Sequence, residues 1–375
     1  MKKLFLSFAS VLLMASCCQK EMSVTVQNNA DFARKAETVE IDWTAVQSKL
    51  NLNPTDSIVV LNSDGKQIPY QIITEGTDSP VKLIFQADVA PNGKAEYKVE
   101  KGSPEKFSSK VFARFVPERK DDFAWENDRV AFRVYGQALK VTDGPNNGID
   151  AWNKRTDNLI IDEWYYRQEV EGKNYHSDYG TGCDYYAVGR SLGAGASAPY
   201  VNDTLWLGEN YESYKVLDNG PIRTSFRLVY GAYDVDGKAI SEVKTITLDA
   251  GSQLSKMVVD YSADSTLNVA AGIVKRVSGD SVFYAPGKEF VAYKDQANEK
   301  NGTTFLAVVS PTQFDETKVD CGHVIGTMHI SPDQNAEYYF GFGWDKWGYE
   351  SFDKWIEYVT QFNSQIKNPL QVTVK

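Results

Sequence analysis

From residue 24 to about residue 103, apolar and polar residues alternate in short runs: Val39, Ile41 and Trp43; Ile58 to Leu61; Val81, Leu83 and Phe85; Tyr97 and Val99. A period of two puts one side of each run against a core, as in a half-buried strand. Turn formers separate the runs, at Asn62-Ser63-Asp64-Gly65 and Pro91-Asn92-Gly93. Short strands between such turns predict a small β-sandwich over residues 31–103, with Gly102-Ser103-Pro104 as a linker. A second series runs over residues 107–375. It includes Arg129 to Tyr135, with Val130, Phe132 and Val134 on one face, and Ile222 to Tyr230. Val243–Leu248, Gln253–Tyr261, Val269–Val274, Ser281–Tyr284, Phe305–Val309, Val324–Ile330 and Tyr338–Phe342 follow. Asp234-Val235-Asp236-Gly237 reads as a hairpin turn. Repeated long strands predict two large stacked antiparallel sheets. Near the end the period changes: Phe352, Trp355, Ile356, Val359 and Phe362 fall at helical spacing, predicting an amphipathic helix over Tyr349–Lys367. Leu370 to Val374 then reads as a closing strand. The fold class is mainly β.

The pattern fails over residues 141–172, which are rich in Asp, Asn and Trp and read as a long ordered loop. The loop enters Asn174–Pro199, NYHSDYGTGCDYYAVGRSLGAGASAP, where polar and aromatic side chains sit between glycines. Such a stretch is poor core material and suits a pocket-forming loop; a structural turn with a hydrogen-bonded His is the alternative.

The first residues change the picture. Lys2 and Lys3 precede the apolar run Leu4–Ala15, a secretory signal pattern over residues 1–16. Leu13-Met14-Ala15-Ser16-Cys17 resembles a bacterial lipobox, which makes Cys17 the lipidation site and residues 17–30 a polar tether. The expectation is a lipoprotein, periplasmic or at the cell surface, held to the outer or inner membrane by its lipid. Loss of residues 1–16 removes two Lys and no acid, taking the net charge from −10 to −12. That balance argues against a nucleic-acid partner, which calls for basic patches. Cys183 and Cys321 are far apart in sequence, and an oxidising compartment permits a disulfide between them.

His176 is one of three histidines and carries the side chain best suited to move a proton near neutral pH. Asp178, Asp184 and Tyr185 stand close to it in sequence. A second group, Arg119, Asp122, Trp125 and Glu126, precedes the Arg129 strand; it reads equally as a solvated turn of paired charges or as part of a sugar pocket. Aromatic faces at Trp125 and Trp164 suit the apolar face of a pyranose, carboxylates such as Asp184 suit its hydroxyls, and Arg119, Arg190 or Arg223 suits a uronate carboxylate. His176, Asp178, Tyr185, Glu126 and Asp122 are the catalytic candidates. No cofactor is expected; Asp178 and Asp184 are oxygen ligands of the kind Ca²⁺ takes, without an EF-hand spacing. His323 and His329 fall in a strand-like run and read as core or surface residues.

Three stretches resemble the domain of unknown function 4861 family of Bacteroidetes lipoproteins. They are FAWENDRVAFRVYG at 123–136, NYHSDYGTGCDYYAVGRSLGAGASA at 174–198, and the strand pair from Gly220 to Leu254. The resemblance implies a galactose-mutarotase-like β-supersandwich and a place in polysaccharide utilisation, beside enzymes for uronate-containing, pectin-like glycans. A lyase would use His176 or Tyr185 to take the C5 proton. A hydrolase would need two carboxylates flanking the bond, from Asp122, Glu126, Asp178 and Asp184. A mutarotase-like epimerase and a non-catalytic glycan binder are the other readings. All of them rest on one expectation, that the His176 segment meets the Trp125–Glu126 loop in a wet hollow.

Overall fold

A computed structural model of the chain describes residues 20–375. The signal and lipobox residues, Cys17 among them, lie outside the described residues. The protein is mainly β, built of antiparallel sheets with a C-terminal helix.

The N-terminal sandwich pairs a four-stranded sheet with a three-stranded one. The first contains Gln371–Val374, Glu21–Gln27, Lys94–Lys101 and Ile58–Leu61; the second contains Arg34–Asp42, Lys82–Val89 and Tyr70–Ile73. Two expectations change here. Residues 21–27, read as tether, form a strand whose Met22, Val24 and Val26 are sealed in the core. The closing strand, assigned to the larger unit, pairs with that strand instead, Val24 opposite Val374. Trp43 opens a helix, Trp43–Leu50, rather than ending a strand; Val46 and Leu50 are its buried face.

In the larger body an eight-stranded sheet runs in the order Ser213–Asn219, Arg223–Val235, Lys238–Asp249, Leu254–Tyr261, Ala336–Trp344, Thr304–Val309, Phe290–Lys294, Ser281–Tyr284. Two five-stranded sheets lay their inner faces against it, and one core joins all three. The first is built around Ala194–Val201, Leu267–Val274 and His323–Ile330. The second runs Gly182–Cys183, Asp150–Lys154, Ala131–Val134, Asp122–Asn127, Val111–Val116. The helix Phe352–Lys367 packs Trp355 and Val359 on the outer face of the large sheet, and the Trp355 indole donates to the Leu306 carbonyl at 3.0 Å. Ser351 caps it by accepting from the Lys354 amide. Among the described residues no helix is long and apolar enough to cross a membrane.

The stretch read as a long loop is not one. Residues 141–172 contain the strand Asp150–Lys154 and the helix Ile161–Glu169. That helix and the loop after it cover the outer face of the second five-stranded sheet. This sheet is therefore buried on both sides, and its strands lack the simple alternation of a half-solvated sheet.

Candidate functional site

Strand alternation decides which candidate residues meet. On Asp122–Asn127, Phe123 and Trp125 point inward, and Asp122, Ala124 and Glu126 point outward beneath the helix. Trp125 stacks on Phe132 at 5.2 Å, and its indole N–H donates to Ser255 Oγ at 3.2 Å. It is core, not a sugar platform. Trp164 is core as well: it stacks on Trp152 at 5.3 Å and donates to Thr181 Oγ1. The expected hollow between His176 and the Trp125–Glu126 loop does not form, because the intervening layer of side chains is closed.

Glu126 has a structural task. Its carboxylate accepts from the Ile160 and Ile161 amides at 2.7 and 2.8 Å, at the N-terminus of the helix Ile161–Glu169. A carboxylate there satisfies orphan amides and meets the positive end of the helix dipole. Lys154 Nζ donates to the same carboxylate at 2.9 Å and to the Asn127 and Asn158 carbonyls. Both charges are sealed, with no room for substrate.

Four residues earlier on the same face, Asp122 joins a different group. Arg133, which the sequence reading passed over, is the hub. Its Nη2 donates to Asp150 at 2.6 Å and to Asp184 at 3.0 Å, its Nε donates to Asp150 at 3.0 Å, and its Nη1 donates to the Tyr175 hydroxyl at 3.0 Å. Asp122 lies 3.6 Å from Arg133 and 3.7 Å from Arg119. Burial pushes the Asp122 carboxyl up to about 6, against the pull of Arg133 and Arg119. Burial, with Asp150 beside it, raises Asp184 well above the usual carboxylate range. Three acids thus face two arginines, and burial raises the carboxyls of Asp122 and Asp184 despite those cations. Asp122 Oδ1, Asp150 Oδ1 and Arg119 Nη1 are buried and have no hydrogen-bond partner.

The hub reaches solvent at His176, whose side chain is 54% exposed. Its Nδ1 lies 2.7 Å from the Asp184 carbonyl and 3.4 Å from the Asp184 carboxylate. A carbonyl only accepts, so Nδ1 carries the hydrogen in the neutral ring and Nε2 carries the lone pair. The His176 ring also meets Tyr175 at 4.7 Å, and the Tyr175 hydroxyl accepts from Arg119 Nε at 3.3 Å. His176, Asp184, Asp122 and Arg119 are therefore brought together, through Tyr175 and Arg133. Two backbone devices hold them there. Lys120 and Asp121 both take left-handed conformations, φ 49° and 62°, turning the chain into Asp122. At Gly182, φ 112°, a Cβ would sit 2.1 Å from the Asn153 carbonyl; only Gly lets the loop lie this close to the neighbouring strand.

The remaining candidates lie elsewhere. Asp178 accepts from the Gly180 and Gly182 amides and pairs with Arg155 at 3.0 Å, so it shapes the loop. With Asp184 held by Arg133, these two carboxylates form no oxygen cage for Ca²⁺. Among the described residues no group of three or more His, Cys, Asp or Glu is arranged to hold a metal. Tyr185 points to the opposite side from His176, its hydroxyl 2.7 Å from Thr304 Oγ1, and burial raises its pKa. Arg223 bridges the two bodies, to Glu40 and Asp249 at 2.6 Å each. Arg190 clamps the Leu207 and Gly208 carbonyls. Cys183 is buried, Cys321 is exposed, and both are free thiols. His323 is a core residue, accepting from the Leu192 amide at Nε2, and His329 pairs with Asp315 on the surface.

A family model for the domain of unknown function DUF4861 matches residues 26–372. The chain belongs to that family. The protein named Uncharacterized protein P7 from Formosa agariphila is 30% identical over 388 residues, covering 98% of each chain. Two solved structures share the fold: an alpha-mannosidase from Enterococcus faecalis V583, and a protein in the glycosyl hydrolase family 38 from Enterococcus faecalis. Both have a TM-score of 0.53, with identities of 10% and 11%. Each likeness takes in 95% of this chain but only 46% and 47% of the larger protein. The DUF4861 chain thus has a fold found within carbohydrate-active proteins, and at that identity the likeness is one of fold.

Proposed function

We propose that this DUF4861 protein is a lipoprotein, anchored through Cys17, that cleaves uronate-containing oligosaccharides by β-elimination. His176 is the base. It takes the C5 proton at Nε2, the C4–O bond breaks as the C4=C5 double bond forms, and the departing oxygen takes a proton from solvent. Arg119, whose Nε donates to the hydroxyl of Tyr175, the ring against which His176 packs, neutralises the uronate carboxylate and makes the C5 proton more acidic.

With the expected hollow at Trp125 and Glu126 absent, the reading rests instead on the exposed His176 ring: Nδ1 lies 2.7 Å from the Asp184 carbonyl, an acceptor, which leaves Nε2 as the basic nitrogen of the neutral ring. The hydrolase reading is weaker on this geometry. Its carboxylates Asp122, Glu126 and Asp184 are sealed, and a hydrolase needs two that reach the scissile bond. Non-catalytic glycan binding is favoured by one separate observation, a cavity of about 680 Å³ that includes none of the His176 group.

Incubation with oligogalacturonate, alginate and arabinogalactan fragments tests the proposal. β-Elimination yields new reducing ends together with the ultraviolet absorbance of an unsaturated uronate. Reducing ends without absorbance mean hydrolysis. Saturable binding without product from pH 5 to 9 means a binder.

A further inference from the structure

The cavity of about 680 Å³ lies at one end of the space between the large sheet and the sheet built around Ala194–Val201. Its walls are the hairpin turn at Val235–Lys238 and the connection from Tyr261 to Leu267. The volume falls within the roughly 300–1,000 Å³ of small-ligand sites. Buried Val235, Ile240 and Leu267 give it an apolar floor. Above them the lining is rich in acceptors, with Asp236 and Asp264 against one ammonium, Lys238. His329 also lines it, already paired with Asp315 at 2.7 Å. Asn202 Nδ2 donates to Asp236 at 2.8 Å and joins two walls. The side-chain oxygen of Asn268, another lining residue, is buried without a partner and calls for a donor.

The polarity continues behind the wall. Two residues beyond Ile240, on the same strand face, Glu242 is sealed with neither carboxylate oxygen hydrogen-bonded. Lys244 Nζ stands 3.5 Å away, also without a hydrogen bond, and both amide atoms of Asn147 and the Tyr233 hydroxyl are likewise unpartnered.

We propose that this cleft binds a neutral, hydroxyl-rich stretch of the glycan, as a site separate from His176. Sugar hydroxyls donate to Asp236, Asp264 and Asn268 and accept from Lys238, while the apolar face of a ring lies on Val235, Ile240 and Leu267. Asp236 and Asp264 are exposed in the cleft itself and disfavour a uronate there, whereas the acids of the His176 group are sealed. The chemistry complements that of the arginine-bearing His176 group: one site takes the charged unit, the other the neutral units. The inference rests on the carbohydrate reading above.

Calorimetry on the mature chain tests it, with neutral galacto- and xylo-oligosaccharides against oligogalacturonate. Ser265 sits on the exposed cleft wall, so Ser265→Trp fills the mouth from a surface turn. Asp264→Ala is a milder second variant on the same turn. Saturable binding of at least one neutral oligosaccharide is expected. It should weaken by about tenfold or more in Ser265→Trp and measurably in Asp264→Ala, and stay unchanged in His176→Ala. No neutral binding, or binding indifferent to both cleft variants, overturns the inference. So does oligogalacturonate binding that Ser265→Trp abolishes. Product formation from uronate substrates without neutral binding leaves the β-elimination proposal standing and removes this one; neutral binding without product does the reverse.

Discussion

Two charged groups share one face of one strand, four residues apart, and they are built differently. At Glu126 one acid meets one base. Both carboxylate oxygens accept, and Lys154 Nζ uses its hydrogens on Glu126 and two carbonyls. At Asp122 three acids surround two arginines, three polar atoms lack partners, and a half-exposed histidine opens the group to solvent. A closed, matched pair holds a helix in place. An unmatched group with raised carboxyls and an outlet to solvent has the makings of acid–base chemistry.

The largest expected effect breaks the hub. Arg133→Met leaves Asp122, Asp150 and Asp184 buried without their main cation; it should cost about 5 kcal/mol or prevent folding, read by urea denaturation. Lys154→Met leaves one buried carboxylate unpaired and should cost about 3–5 kcal/mol. Adding Glu126→Gln should restore much of that loss, because the side-chain carbonyl still accepts from the helix amides.

A smaller effect sharpens the contrast. Removing an acid from the hub should stabilise the protein. Asp122 titrates near 6 when folded, against 3.8 as its ordinary value. Between those values the folded state holds the extra proton, so stability falls as pH rises and the loss is complete above about pH 6. Asp122→Asn should therefore gain about 2–3 kcal/mol at pH 7.5, and the gain should vanish near pH 4. A variant less stable than wild type at both values would mean that the hub needs this charge. The smallest stability effect belongs to His176→Ala, within about 0.5 kcal/mol, because its ring is half-exposed and not part of the core.

Most strands were legible because they are half-buried and alternate cleanly. Val243–Leu248 falls where expected, within the strand Lys238–Asp249 whose buried and half-buried positions alternate, and the hairpin turn at Asp236-Gly237 has both residues left-handed, as its sequence demands. The N-terminal strand was partly legible: alternation began at residue 24, but the polar residues around it suggested a tether. The site was less legible. Arg133 sits between Phe132 and Val134, so alternation alone put it on the opposite face. What was missing was the cover over that face, the helix Ile161–Glu169, whose apolar residues Ile161, Trp164 and Tyr165 lie among charges. Without that cover, a charged strand face reads as solvated, and Trp125 and Glu126 read as partners in one loop. Period two separates them by the thickness of a sheet.

The most direct test compares oligogalacturonate turnover and binding in wild type and His176→Ala. If Nε2 takes the proton, the variant should lose about a hundredfold or more in kcat, with the dissociation constant unchanged and the fold intact. Wild-type turnover in His176→Ala would contradict the assignment of His176 as the base.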